Sequence, residues 1–192
     1  MICYDLQNIL SAKTIRLKRG QRLFAQGDPV ENIYCVNQGR IKLVRDTIEG
    51  TPILIHVAYA GESIAEASLF SKEYHCSALV DTSSQVTAFS KKELLQSLQN
   101  NPESMMNLLK QLTTQVRDLR MLNEIKSIYN AKEKVLTYLA TEFNQDKESD
   151  LPLKDIAQKI GMAHETFYRT LKALESNGKI SRSGGQIKLI DL

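Results

Sequence analysis

No stretch of this chain is long and apolar enough to span a bilayer, which takes about 20 apolar residues. The longest apolar run, residues 53–60, is interrupted by His56. Residues 1–10 are too short, and too broken by Asp5, Gln7 and Asn8, for a secretory signal. A soluble, cytoplasmic protein with no membrane partner is therefore expected. Cysteine is scarce: Cys3, Cys35 and Cys76 are odd in number and share no CxxC spacing, which points to neither a disulfide framework nor a zinc site. There are only three histidines, too few for the clustered His and carboxylate ligands of a metal oxygenase. No metal, no catalytic residue and no enzymatic activity are expected. A formal net charge of +3 is too small to argue for a nucleic-acid partner from the whole chain. There is no internal repeat and no low-complexity tract.

What is present is concentrated near the C-terminus. The 192 residues suit one large domain or two small ones. In residues 153–174, LKDIAQKIGMAHETFYRTLKAL, helical spacing puts Leu153, Ile156, Ala157 and Ile160 on one side. Gly161 then breaks the helix, and a glycine there accepts the positive φ of a tight turn between crossed helices. On the second helix Phe167, Leu171 and Leu174 share an apolar face, leaving His164, Glu165, Tyr168, Arg169 and Lys172 to project elsewhere. The chemistry suits base reading. Arg169 can fork onto guanine O6 and N7, Glu165 can accept from a cytosine or adenine amino group, and Thr166 can meet a thymine methyl or a phosphate. The competing reading is a solvated face on which Glu165 and Arg169, four apart, pair with each other. A helix stop at Ser176, Asn177 and Gly178, then strand candidates at 179–182 and 186–190 around a turn at 183–185, complete a winged helix. Charge is local as well. Residues 161–190 hold five basic side chains (Arg169, Lys172, Lys179, Arg182, Lys188) against two acidic ones (Glu165, Glu175). With Lys154 on the first helix, that is enough for salt-sensitive phosphate contacts.

Upstream, residues 14–89 read as β structure. Short β-branched or aromatic segments at 14–17, 22–24, 33–36, 40–45, 52–57, 76–80 and 86–89 are punctuated by glycine turns, including one at Asn37, Gln38 and Gly39. Such spacing indicates a small barrel or jelly roll. After Ser90 the pattern becomes helical. A short helix at 91–98 is followed, from Asn101, Pro102 and Glu103, by a long amphipathic one carrying Met105, Leu108, Leu109, Leu112, Val116, Leu119, Leu122, Ile125 and Ile128. That stripe exceeds what a small barrel covers, and a second subunit would bury the excess as in a coiled coil; packing within one chain is the alternative. Asn130 is placed to cap a further helix, 131–143.

The run RLKRGQRLFAQGDPVENIYCVNQGRIKL followed by GESIAEASLF resembles the sensor β-roll of the CRP/FNR family of bacterial transcription regulators. The segment His164 to Arg169 is similar to that family's recognition helix. The resemblance implies an α+β chain: a cyclic-nucleotide-binding-type β-roll over 1–98, a dimerisation helix over 99–130 and a winged helix-turn-helix DNA-binding domain over 131–192. It further implies a homodimer on a palindromic operator, read by helix 164–176, with half-sites that keep a G and its neighbouring A about one helical turn apart. Promoter DNA and RNA polymerase are the expected partners. In cyclic-nucleotide-binding relatives a Glu holds the ribose hydroxyl and an Arg–Ser pair clamps the phosphate. Laid on that pattern, the chain keeps Glu66 and Ser77 but has Cys76 where the arginine belongs, and Ala65 replaces a glycine. Leu119 and Arg120 stand where hydroxyls would meet the adenine. A thiol supplies neither charge nor forked donors, so no cAMP is expected as cofactor, although Lys72 or a nearby arginine remains as a substitute cation. An iron–sulfur cluster of the FNR type needs four thiolates. Haem would have to use His56 or His75, and Cys76 is either a thiol switch or a small buried hydrophobe. The expectation is an effector other than cAMP, or none. A cyclic-nucleotide-binding module that regulates a protein partner is the alternative.

Overall fold

The alternating β-branched runs of the N-terminal half form an antiparallel sheet in the computed structural model of the chain, which describes residues 11–142, 152–183 and 186–190. Six strands take part: β1 (Ala12–Leu17), β2 (Arg22–Phe24), β3 (Asn32–Asp46), β4 (Pro52–Tyr59), β5 (Ser63–Ile64) and β6 (Ser77–Ser90). Their order is β1-β6-β3-β4, with β2 also against β6 and β5 against β3. The strands are fewer and longer than expected. Segments 33–36 and 40–45 are one strand, and so are 76–80 and 86–89. The expected turn at 37–39 is instead a bulge within β3. Gln38 pairs with Gln85 and Arg40 with Thr82, so Gly39, at φ +86°, faces both Ser83 and Ser84. A bulge of this kind bends a strand without ending its pairing.

Phe24, Ile33, Ile41, Ile64, Val86 and Phe89 fill the core of this half. Phe24 stacks on Tyr74 at 4.0 Å and on Tyr34 at 5.7 Å. At the rim of the sheet Asp81 takes Lys42 Nζ at 2.6 Å and pairs with Arg40. Burial pushes the Asp81 carboxyl up, but Lys42 and Arg40 outweigh it and hold the group below its ordinary range. A carboxylate depressed in the folded state stabilises above its unfolded pKa, about 3.9, and that stability is lost as pH falls through the lower folded value. Asp81→Asn should therefore cost about 2 kcal/mol at neutral pH and progressively less in acid. Urea unfolding of both forms at pH 7 and pH 3 would check this; an equal cost at both values would be inconsistent with the ion pairs.

The helices follow the periodicity closely. They are α1 (Lys91–Asn100), α2 (Pro102–Ser127), α3 (Ala131–Glu142), α4 (Leu153–Lys159) and α5 (His164–Ser176), followed by the hairpin β7 (Ile180–Ser183) and β8 (Gln186–Leu189). Two asparagines act as caps. Asn101 Oδ1 accepts from the N–H groups of Glu103 and Ser104, and Asn130 Oδ1 from those of Lys132 and Glu133, which satisfies donors that open a helix. The chain divides into two compact units, Met1–Leu112 and Thr113–Leu192. In the first, Met105, Leu108 and Leu112 of α2 pack on the sheet's core. In the second, Met121, Leu122 and Ile125 of the same helix join a core built on Tyr138, Leu139, Ile156, Phe167 and Leu171. On the same helix Met106, Leu109, Val116 and Leu119 stay exposed. Residues 1–10, the loop expected at 144–150 and the turn glycines 184 and 185 lie outside the described residues. Among the described residues no helix is long and apolar enough to cross a membrane.

Candidate nucleic-acid interface

The apolar spacing of α4 and α5 decides what those helices show to solvent. Ile156 and Ala157 on α4, Ile160 at its C-cap, and Phe167 and Leu171 on α5 are fully buried, and Leu174 is nearly so. The expected turn joins them: Gly161 has φ +68°, and the Met162 N–H donates to the Ala157 carbonyl at 2.8 Å. With one side of α5 fixed in this way, His164, Glu165, Tyr168, Arg169 and Lys172 project outward, as does Lys154 of α4, while Thr166 is half-buried. Glu165 and Arg169 form no ion pair among the described residues, so their groups are available to a ligand. Thr170 is the polar exception on the buried side. Its hydroxyl donates to the Thr166 carbonyl at 2.7 Å and so needs no outside partner.

The hairpin closes the unit, with Ile180 and Ile187 buried beneath it. One of the cations counted from the sequence is already engaged here. Arg182 donates to Glu175 Oε2 through Nε at 3.0 Å and its terminal nitrogen at 2.5 Å. The guanidinium holds the Glu175 carboxyl below its ordinary range. Arg182 therefore braces the hairpin against the end of α5. Lys154, Arg169, Lys172, Lys179 and Lys188 are the remaining cations of those counted from the sequence. The spacing of Glu175 and Arg182, helix to strand, gives no local signal of this pair.

The expected effector residues divide between the two units. In the first, Glu66 lies half-buried in a 3-10 turn that begins at Ala65, whose φ of +74° is the only positive value of a non-glycine among the described residues. The backbone thus takes the conformation that suits glycine. Cys76 is only 2% exposed, and burial pushes its thiol up despite the opposing influence of Arg45. A reactive cysteine needs the reverse, a depressed pKa and access; Cys76 is the small buried hydrophobe of the two readings. Ser77 Oγ already accepts from the Gln26 N–H at 2.9 Å. The histidines are tied as well: His75 Nδ1 lies 2.7 Å from Ser68 Oγ, and His56 Nε2 lies 3.0 Å from Glu62 Oε2. Arg45 reaches this region, donating to the His75 carbonyl at 3.0 Å. No local sequence signal links the two, because Arg45 on β3 and residue 75 are 30 positions apart. Leu119 and Arg120, on α2 in the second unit, are exposed. Cys35 is disulfide-bonded, which neither the odd cysteine count nor the spacing foretold. Among the described residues no group of three or more His, Cys, Asp or Glu is placed to hold a metal ion.

Residues 14–101 match the family described as Cyclic nucleotide-binding domain. The fold of FixK2 from Bradyrhizobium japonicum superposes with a TM-score of 0.75 over 95% of this chain and 94% of that one, at 19% identity. The cAMP-activated global transcriptional regulator CRP of Salmonella typhimurium is 27% identical over 86% of this chain and 83% of its own length. The sensor domain of the transcriptional regulator DNR from Pseudomonas aeruginosa is 31% identical, with a TM-score of 0.53 over 66% of this chain and 83% of that domain. The chain belongs to the CRP/FNR family of transcription regulators. Its N-terminal sheet is a cyclic-nucleotide-binding-type domain, followed by helices in an α+β fold.

At the start of α5 one position has a measurable cost. Ala163 occupies the N-cap, with an extended backbone and no side-chain hydrogen bond to the helix. Among the described residues His164 does not replace that cap. Ala163→Ser should stabilise the second unit by about 1 kcal/mol, since the hydroxyl can accept an otherwise open helix N–H. Thermal unfolding would measure it; no gain would mean that the backbone there is already satisfied by solvent.

Proposed function

We propose that this regulator is a homodimer that binds a palindromic operator in promoter DNA through α5 and thereby recruits or blocks RNA polymerase. In this reading α4, the Gly161 turn, α5 and the β7–β8 hairpin are a winged helix-turn-helix spanning 131–192. The observation that carries it is the division of α5: one face is wholly buried, and the other presents Glu165 and Arg169, unpaired with each other, beside His164, Tyr168 and Lys172. A helix held so firmly can lie in the major groove without spending its own polar groups inside the fold. Dimerisation through 99–130 is supported by Met106, Leu109, Val116 and Leu119 of α2, large apolar side chains that are exposed. The sensor domain over 1–98 takes an effector other than cAMP, or none. A cyclic phosphate needs a forked cation at the place of Cys76, and that thiol is buried, neutral and without such donors.

Selection of bound sequences from random duplex DNA, with and without cAMP, tests the whole reading. It should return a two-fold symmetric motif with a G and an adjacent A in each half-site, unchanged by cAMP. Enrichment of no motif would remove the DNA-binding reading, and a motif enriched only with cAMP would remove the effector reading.

A further inference from the structure

The described residues hold one half of a disulfide that operator binding does not use. Cys35 is disulfide-bonded, whereas Cys76 is free. The chain has three cysteines, so the thiol left to pair with Cys35 is Cys3, which lies outside the described residues. Cys35 is 1% exposed, which keeps a sulfur on the surface of a second copy from reaching it. A protein that acts on DNA shares a compartment in which glutathione and thioredoxin hold thiols reduced, and disulfides there are usually transient and catalytic or redox-sensing. A permanent staple is the weaker reading.

The position of Cys35 in the sheet joins the bond to the parts that matter. On β3 it stands opposite Ser63 of β5 and Thr87 of β6. Ser63 is buried, and its hydroxyl accepts from Gln111 Nε2 of α2 at 3.1 Å. The next residue, Val36, brackets the turn into β5: its N–H donates to the Glu62 carbonyl at 2.9 Å, and its carbonyl accepts from the Gly61 N–H at 2.8 Å. Cys35 therefore steadies both the strand that leads to Glu66 and the contact that fastens α2 to the sheet. Farther along, α2 supplies Met121, Leu122 and Ile125 to the core that holds α5.

We propose that Cys3 and Cys35 form a reversible thiol switch, that the effector of the sensor domain is a peroxide-class oxidant, and that the disulfide form binds the operator more tightly. The proposal rests on the reading of α5 as the operator contact. Burial makes Cys35 the second thiol to react. Hydrogen peroxide oxidises the Cys3 thiol to a sulfenic acid, its O–O bond breaking to release one water; the Cys35 sulfur then attacks the sulfenic sulfur, and a second water leaves as the S–S bond forms. Two thiols and one peroxide thus give one disulfide and two waters. Glutathione reverses the step by two exchanges: its thiolate attacks the Cys3 sulfur and frees Cys35 as a thiol, and a second glutathione frees Cys3 and leaves as glutathione disulfide. Closing the ring from 3 to 35 removes freedom from β3 and β5, and a sheet and helix ordered beforehand cost less to order on DNA.

The test prepares the full-length protein with hydrogen peroxide and with dithiothreitol, and maps the bonded sulfurs by peptide mass without reductant. Mapping should return Cys3 joined to Cys35 within one chain. A glutathione buffer of cytosolic composition should open that bond, whereas a structural disulfide resists it. The oxidised protein should bind the selected operator roughly tenfold more tightly than the reduced one, and its N-terminal unit should melt on the order of 10 °C higher. Cys3→Ser leaves the described core untouched and should bind and melt like the reduced protein under both treatments. The proposal is overturned by a Cys3→Ser protein that still responds to peroxide, by a bond mapped to Cys76 or between two copies, or by a disulfide that glutathione leaves intact. Equal operator binding by the two forms, or tighter binding by the reduced one, overturns it as well. If no operator is selected at all, the reading of α5 fails and the operator part of this proposal falls with it, while mapping and melting still decide the bond.

Discussion

If α5 reads the operator as proposed, Arg169→Ala should lose about 1–3 kcal/mol of operator binding, roughly ten- to hundredfold in affinity, and should relax the choice of base at the guanine assigned to it. Arg169 is exposed on a helix whose opposite side is sealed by Phe167, Leu171 and Leu174, so its removal leaves the packing untouched. The loss should therefore appear in binding and not in the unfolding midpoint. Lys172, also exposed, provides the contrast. As a point charge directed at phosphate, Lys172→Ala should weaken all sequences alike and lower the salt slope by about one contact. Gel-shift titrations on matched and mismatched half-sites separate the two effects. An Arg169→Ala protein with unchanged base preference would show that the selectivity resides in another side chain.

Gly39→Ala should destabilise the N-terminal unit by roughly 3 kcal/mol, enough to lower its melting temperature by more than about 10 °C. Two costs add. The backbone at φ +86° is left-handed, which costs an L-residue about 1–2 kcal/mol. A Cβ would also lie 2.5 Å from the Ser83 carbonyl oxygen and 2.7 Å from Ser84 Cα, besides overlapping Ser84 Oγ. Those atoms cannot move cheaply. Ser84 Oγ accepts from the Arg40 N–H at 3.0 Å and donates to the Thr82 carbonyl at 2.6 Å, which locks the bulge from both strands. Gly50, by comparison, also has a positive φ but open space around it, so Gly50→Ala should cost only the backbone share. Calorimetry of both variants would distinguish overlap from conformational strain; equal losses would mean that β6 yields to the new methyl.

Much of this could be read along the chain, because local patterning was enough. The stripe Ile156, Ala157, Ile160, Phe167, Leu171 and Leu174 required two helices with a shared buried side, and Gly161 and Asn130 marked where one ended and another began. The outward face of α5 followed by subtraction. The strand count did not follow, because Gly39 in a bulge and Gly39 in a turn have the same local signature. Only pairing with Ser83 and Ser84, more than 40 residues away, distinguishes them.

The sequence by itself determined which side chains are buried and which are offered to solvent, since apolar periodicity acts through neighbours three or four positions apart. By placing Cys76 where the resemblance calls for a charged fork, it also carries the expectation of an effector other than cAMP, or none. Tertiary structure decided how the charges are used. Arg182 is committed to Glu175, Asp81 to Arg40 and Lys42, and Arg45 to the backbone of His75, whereas Lys13, Arg16, Lys18, Arg19 and Arg22 form no ion pair among the described residues. Charge acts through space over several ångströms, so whether a cation is free or paired depends on strands and helices that meet only once the chain has folded.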